Sequence, residues 1–299
     1  YYGADYNGSN SWIETSAVSS AFNFYQTSYT IEGWFFFRTI TNDSKLFTLR
    51  GGQDIGWYFS TSNGQIGMSY IGSSGQVISN NGAVTAGSWQ HIAICQNYVS
   101  ASSGTMTIYV NGIASGSYTG NYAALYTGNF DQIFGIGDIR NGYSNPVVNA
   151  IVSNVRVIKG QALFTGNFTP STSPLTTSSV GHTGAGAAGS ITGAVSLLTC
   201  QSNRLIDNSS NQFTLLASPP AITSFQPFTP NSSYATYGSG YFDGTGDYLY
   251  AGSSTAFQYG TGDFTYECWV YHTTISGQQT YFARTTGNNA GVYFYKDAS

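Results

Sequence analysis

AFNFYQTSYTIEGWFFF (residues 21–37) decides how this chain is read, because it returns as AFQYGTGDFTYECWVYH at residues 256–272, an offset of 235 (256 − 21). Each copy holds an Ala-Phe step and then Thr-x-Glu-x-Trp: Thr30, Glu32 and Trp34 first, Thr265, Glu267 and Trp269 second. Upstream, YNGSNSWIE (6–14) matches FDGTGDYLY (242–250), offset 236 (242 − 6). A period this long is not that of a solenoid unit, and it predicts a whole domain duplicated in tandem. The second copy reaches Ser299 at a position equivalent to about Gly64 of the first (299 − 235), so the chain is expected to be a piece of a longer multi-module protein.

Around that stretch, strand candidates follow one another with turn signals between them: SWIETS, SKLFTLRG, GWYFSTS, QIGMSYIG, WQHIAICQNY, DQIFGIGDI and NAIVSNVRVIKG. TMTIYVNGIASGSYT (105–119) is the clearest hairpin, since Asn111-Gly112 supplies the positive φ angles of a type I′ turn. In the last candidate Val155 and Val157 share one face, and Asn154 and Arg156 the other. With 24 Tyr, 19 Phe and 37 Gly and no sustained helical periodicity, the expected class is all-β, an antiparallel β-sandwich or jelly roll.

Charged residues are 7% of the chain, so solubility rests on hydroxyls and amides. A net charge of −4, with nine scattered Lys and Arg, excludes a nucleic-acid or anionic-membrane partner. No run approaches the ~20 apolar residues of a membrane helix. Three distant cysteines, Cys95, Cys200 and Cys268, do not close a disulfide framework and read as buried free thiols. The tract TTSSVGHTGAGAAGSITG (176–193) reads as a linker, and its Gly184, Gly186 and Gly189 form only a compositional G-x-G-x-x-G, with polar flanks where a dinucleotide site needs a strand and a helix. The division expected is a first module over 1–175, its first strand missing, a linker over 176–193, and a partial second module over 194–299 opened by AVSLLTCQ (194–201).

YFDGTGDYL (241–249), DFTYECWVY (263–271), SWQHIAI (88–94), IYVNG (108–112) and VSNVRVIKGQALFTGNFTP (152–170), in that order, resemble laminin-G-like, concanavalin A-like jelly-roll modules. The closest form is the tandem kind in virion structural proteins of marine bacteriophages. The resemblance implies a virion decoration, fibre or appendage component, homo-oligomeric or packed against other virion subunits, with a lectin-like surface for cell-surface glycans. The alternative is a secreted, extracellular bacterial adhesin of the same fold. The resemblance also admits Ca²⁺ at a sandwich rim, with Asp138 the best candidate ligand; no other cofactor is expected.

Glycoside hydrolysis needs two carboxyls about 5–9.5 Å apart across the scissile bond. The acids here are isolated apart from Asp243 and Asp247, which lie in a glycine turn and are replaced by Asn7 and Ser11 in the first copy. Glu32 and Glu267, each followed two residues later by Trp34 or Trp269, read as structural carboxylates, Glu32 paired with Arg156. His91, His182 and His272 show no ligand spacing, and His91 reads as a packing residue of its strand. Asp207, Ser209 and Asn211 imitate half an EF-hand loop, but Gln212 stands where Gly is required and Ser218 where the bidentate Glu belongs. The chain is therefore expected not to be an enzyme. Sugar recognition calls for aromatic platforms beside planar polar groups; the candidates are Trp57, Tyr58, Tyr122, Tyr126, Arg140, Asn141 and Tyr143.

Overall fold

The computed structural model describes residues 2–51, 54–70, 79–120, 129–137, 148–218, 220–228 and, apart from 241, 243, 273 and 287–289, residues 240–298. Asp138, Tyr122, Tyr126, Arg140, Asn141 and Tyr143 lie outside these residues. The chain divides into two compact units, Tyr1–Tyr237 and Gly238–Ser299.

The first unit is an antiparallel β-sandwich. One sheet has the order β14 (Ala221–Thr223), β1 (Gly3–Asn7), β11 (Asn149–Lys159), β3 (Tyr29–Thr39), β7 (Trp89–Ser100), β8 (Ser103–Val110) and β9 (Ile113–Gly120), with β12 (Ala194–Thr199) pairing the far half of β11. The other runs β13 (Leu215–Ser218), β2 (Trp12–Thr15), β10 (Gln132–Ile136), β4 (Lys45–Gly51), β5 (Ile55–Thr61) and β6 (Gln65–Tyr70). Period-two alternation sends Ile31, Phe35 and Phe37 of β3, Ile92 and Ile94 of β7, and Val155 and Val157 of β11 inward. They meet Phe47, Leu49, Trp57, Phe59 and Phe134 of the facing sheet, with Phe35 against Phe47 (5.4 Å between ring centres) and Phe37 against Phe59 (5.0 Å). Each such ring, fully buried, contributes roughly 1.5–3 kcal/mol.

The outer face of the first sheet is covered in its middle. Residues 160–193 fold back across it as a strap whose two arms pair with each other through the bridges Phe164–Ala187 and Thr169–Thr183. Leu163, Phe164, Phe168 and Val180 of the strap close on Ala93, Cys95, Tyr109 and Ile158 of the sheet, forming a second apolar cluster. The 176–193 tract is thus a packed cover rather than a linker. Its glycines answer to close backbone crossing: a Cβ on Gly186 would fall 2.2 Å from the Gly166 backbone. AVSLLTCQ does not open a second module either; β12, β13 and β14 extend both sheets of the first unit.

The Asn111-Gly112 turn has φ +51° and +77°, as a type I′ hairpin requires. It also receives the strap, since the Phe168 amide donates to the Gly112 carbonyl at 2.9 Å. A Cβ on Gly112 would lie 2.0 Å from the Phe168 carbonyl oxygen. Gly112→Ala is expected to cost about 1–3 kcal/mol in urea unfolding; an unchanged midpoint would mean the strap gives way there freely. At Asn154 the β11 ladder shifts register, with φ +54°. The bulge faces Asn154 into a buried junction, where its Oδ1 accepts from the Leu175 amide (3.0 Å) and Gln201 Nε2 (2.5 Å).

In the second unit the described strands are β15 (Gln279–Thr286) and β16 (Ala290–Lys296), an antiparallel pair. DFTYECWVY is not a strand among the described residues, and Glu267 and Trp269 do not repeat the setting of Glu32 and Trp34: both are exposed, Trp269 fully. The cause lies in pairing. In the first unit TIEGW is held between β7 and β11, and residues 238–299 contain no equivalents of those strands among the described residues. The local turn alone survives. Ser19 and Ser254 cap matching 3-10 turns, each hydroxyl accepting from the Ala21 or Ala256 amide at 3.2 Å.

Candidate functional site

Alternation places Glu32 of β3, His91 of β7 and Arg156 of β11 on the strap side of the first sheet, where the strap lowers His182 onto them. Glu32, His91 and Arg156 are 0% exposed and His182 6%. Arg156 is the cross-strand neighbour of Glu32, and its Nε and Nη2 donate to Glu32 Oε1 at 2.8 and 2.7 Å. Nη1 donates to the Thr176 and Ser179 carbonyls and Nη2 to that of Val180, all at 2.8 Å. All five guanidinium N–H groups are therefore engaged, three of them on the strap backbone.

The other carboxylate oxygen, Oε2, receives His182 Nε2 at 2.8 Å and His91 Nε2 at 3.1 Å. His182 Nδ1 accepts from the Ser171 amide at 3.0 Å, which assigns the ring proton to Nε2. His91 donates from Nε2 as well, and its buried Nδ1 has no hydrogen-bond partner among the described residues. Burial alone would raise the Glu32 carboxyl; the Arg156 guanidinium and the two rings outweigh it and hold the group well below the usual carboxylate range. Burial lowers His91 despite the carboxylate beside it.

Glu32, His91 and His182 offer ligand atoms within 4.8 Å of one another, a spacing a divalent cation can bridge. The donor set does not fit one. A metal on His182 Nε2 would move the ring proton to Nδ1, against the Ser171 N–H, and Arg156 already neutralises the carboxylate. Nor can the cluster act as general acid and base on a sugar, because the one carboxyl is saturated and sealed under the strap.

Pattern reading paired Glu32 with Arg156 and gave His91 only a packing role; its place on Glu32 and the arrival of His182 were missed. The retrievable signal was register: Trp34 faces His91 across β3 and β7, their rings 5.1 Å apart, so His91 lies diagonal to Glu32. His182 sits in an irregular segment that carries no such periodicity.

The remaining candidates separate. Trp57 is a correction: it is 0% exposed and packed edge-on to Tyr29, so it presents no face to a sugar. Tyr58 is half-buried with the Lys45 ammonium 4.3 Å above its ring, and Lys45 is itself paired to Asp43. Asp207 accepts from the Leu198, Ser209 and Phe213 amides, a closed turn and not half of a calcium loop. Cys95 and Cys200 are buried and free, their thiols pushed up to about 11 and about 12 by burial, whereas Cys268 is exposed rather than buried as expected.

Among solved structures, the chain is similar to a Bacteroides ovatus protein provisionally described as carbohydrate binding (15% identity, TM-score 0.43, covering 77% of this chain and 61% of that one). It is also similar to domains LG4-5 of the mouse laminin alpha1 chain (15%, 0.35, 55% and 42%) and to a Trypanosoma rangeli sialidase (16%, 0.36, 52% and 25%). The chain thus spans less than two thirds of the length of each. No curated protein sequence matches it. The family comparison reaches further: residues 7–163, running from the end of β1 through β11 to the first turn of the strap, match one family across more than half of the chain. Together with the two antiparallel sheets, that match places this chain in the concanavalin A-like lectin/glucanases superfamily.

Proposed function

We propose that this chain is a non-enzymatic recognition module for carbohydrate, carried on a virion as part of a decoration, fibre or appendage protein. The observation that carries the non-enzymatic half is the fate of Glu32, whose two oxygens are taken up by Arg156, His91 and His182 beneath the strap. What the fold offers to solvent is hydroxyl, amide and aromatic chemistry, the kind that meets neutral sugars. The superfamily supports the carbohydrate half, since it joins lectins with glucanases.

The virion setting rests on the sequence resemblance. The test pairs a glycan array with a reducing-end release assay on the same polysaccharides. Binding without release is the expected result; release of new reducing ends would overturn it.

A further inference from the structure

Beside the strap, the outer face of the β8–β9 hairpin forms an open groove of about 370 Å³. Its base is a cross-strand hydroxyl pair, Thr107 opposite Ser117, next to Tyr109 opposite Ala114. Thr165 of the strap and Asn80 also line it. The segments carrying both are fastened to β9. The Asn80 amide donates to the Ser115 carbonyl at 2.8 Å, and the Ala114 amide donates to Asn167 Oδ1 at 2.9 Å. The groove is therefore built before any ligand arrives, which removes an ordering cost from binding.

Its chemistry is selective. Among the described residues, none that lines it carries a charge. Tyr109 is held between the strap rings Phe164 and Phe168 (5.8 and 5.5 Å), and burial pushes its phenol up to about 12, so it stays neutral. The exposed Asn80, Ser117 and Thr165 side chains present donors and acceptors around the Thr107 and Tyr109 floor. A carboxylate or sulfate placed there would lose water and gain no cation.

We infer that this groove binds a neutral sugar residue of a glycan. The inference rests on the carbohydrate reading above and gives that reading a site and a ligand class. The experiment is an immobilised array of neutral, sialylated and sulfated glycans, read with the wild-type chain and with Asn80→Ala, Thr165→Ala and Ser117→Trp. All three positions are exposed, and matching thermal midpoints confirm folding.

Binding to neutral glycans is expected, weakened about three- to tenfold by each alanine, as the loss of one hydrogen bond implies. Ser117→Trp should fill the groove and abolish it. Neutral-glycan binding that survives all three substitutions would overturn the groove and leave carbohydrate recognition standing. Binding confined to anionic glycans would overturn the assigned ligand class, and with it the groove. A wild-type chain that binds no glycan would overturn both. Should Ser117→Trp fail to fold, the two alanine variants decide the matter alone.

Discussion

Arg156→Leu lowers the unfolding free energy by about 3–5 kcal/mol, the usual cost of removing one partner from a buried ion pair. Leucine fills much of the volume but leaves Glu32 charged, 0% exposed and without its cation, and it orphans the carbonyls of Thr176, Ser179 and Val180. Against a typical domain stability of about 5–15 kcal/mol the loss is large. Arg156→Lys should fall between the two, since an ammonium restores the charge but not the planar fork that reaches three carbonyls and a carboxylate together. Urea unfolding measures the loss, and limited proteolysis shows whether residues 176–193 become the first site of cleavage. A wild-type midpoint for Arg156→Leu would mean that the strap is held by its apolar cluster alone.

Acid is the second large perturbation, and its direction follows from the same four side chains. Burial lowers His91 in the folded protein, so below about pH 6.5, the ordinary histidine value, the unfolded chain takes up a proton that the folded chain refuses. That contribution is complete above about pH 6.5 and declines as the pH falls through it. Glu32 is also depressed, chiefly by Arg156 acting against desolvation, so its contribution is present above about pH 4.3 and fades below. Stability should therefore fall in two limbs, each with a slope of up to about 1.4 kcal/mol per pH unit. The groups facing His91 are Glu32, His182 and Arg156, with the Trp34 and Phe168 rings against its faces. His91→Gln, which keeps an N–H for Glu32 but does not titrate, should flatten the limb between about pH 7 and 5 and spare the lower one. A parallel curve for this variant would assign the upper limb to another group.

Elements of the sandwich were legible in the sequence wherever local chemistry is decisive. Asn111-Gly112 turns as its φ requirement dictates, and Val155 and Val157 enter the core as their alternation demands. The 3-10 turn after Ser19 recurs after Ser254 although Phe22 is buried and Phe257 is 39% exposed. Tertiary burial was not legible in the same way. The 176–193 tract looks like a linker because its side chains are small and polar, yet it is held by carbonyls, which composition does not display. DFTYECWVY has strong strand propensity and is unpaired among the described residues, for β-propensity records fit to a sheet and not an intrinsic backbone preference. Trp57 looked like a display residue, but its parity in β5 turns it inward beside Phe59.

The buried quartet also sets an order of events in time. Glu32 and His182 are 150 positions apart, and Glu32 and Arg156 are 124 apart. Closing loops of that length before any contact rewards them is slow. The hairpin of β8 and β9, whose partners lie within 20 residues, is available early. The strap has no surface to dock on until β3, β7 and β11 stand side by side. Amide exchange during refolding should therefore find Phe168 and Ser171 protected after Ile92 and Ile108, with Arg156 holding its charge in water until the cover arrives.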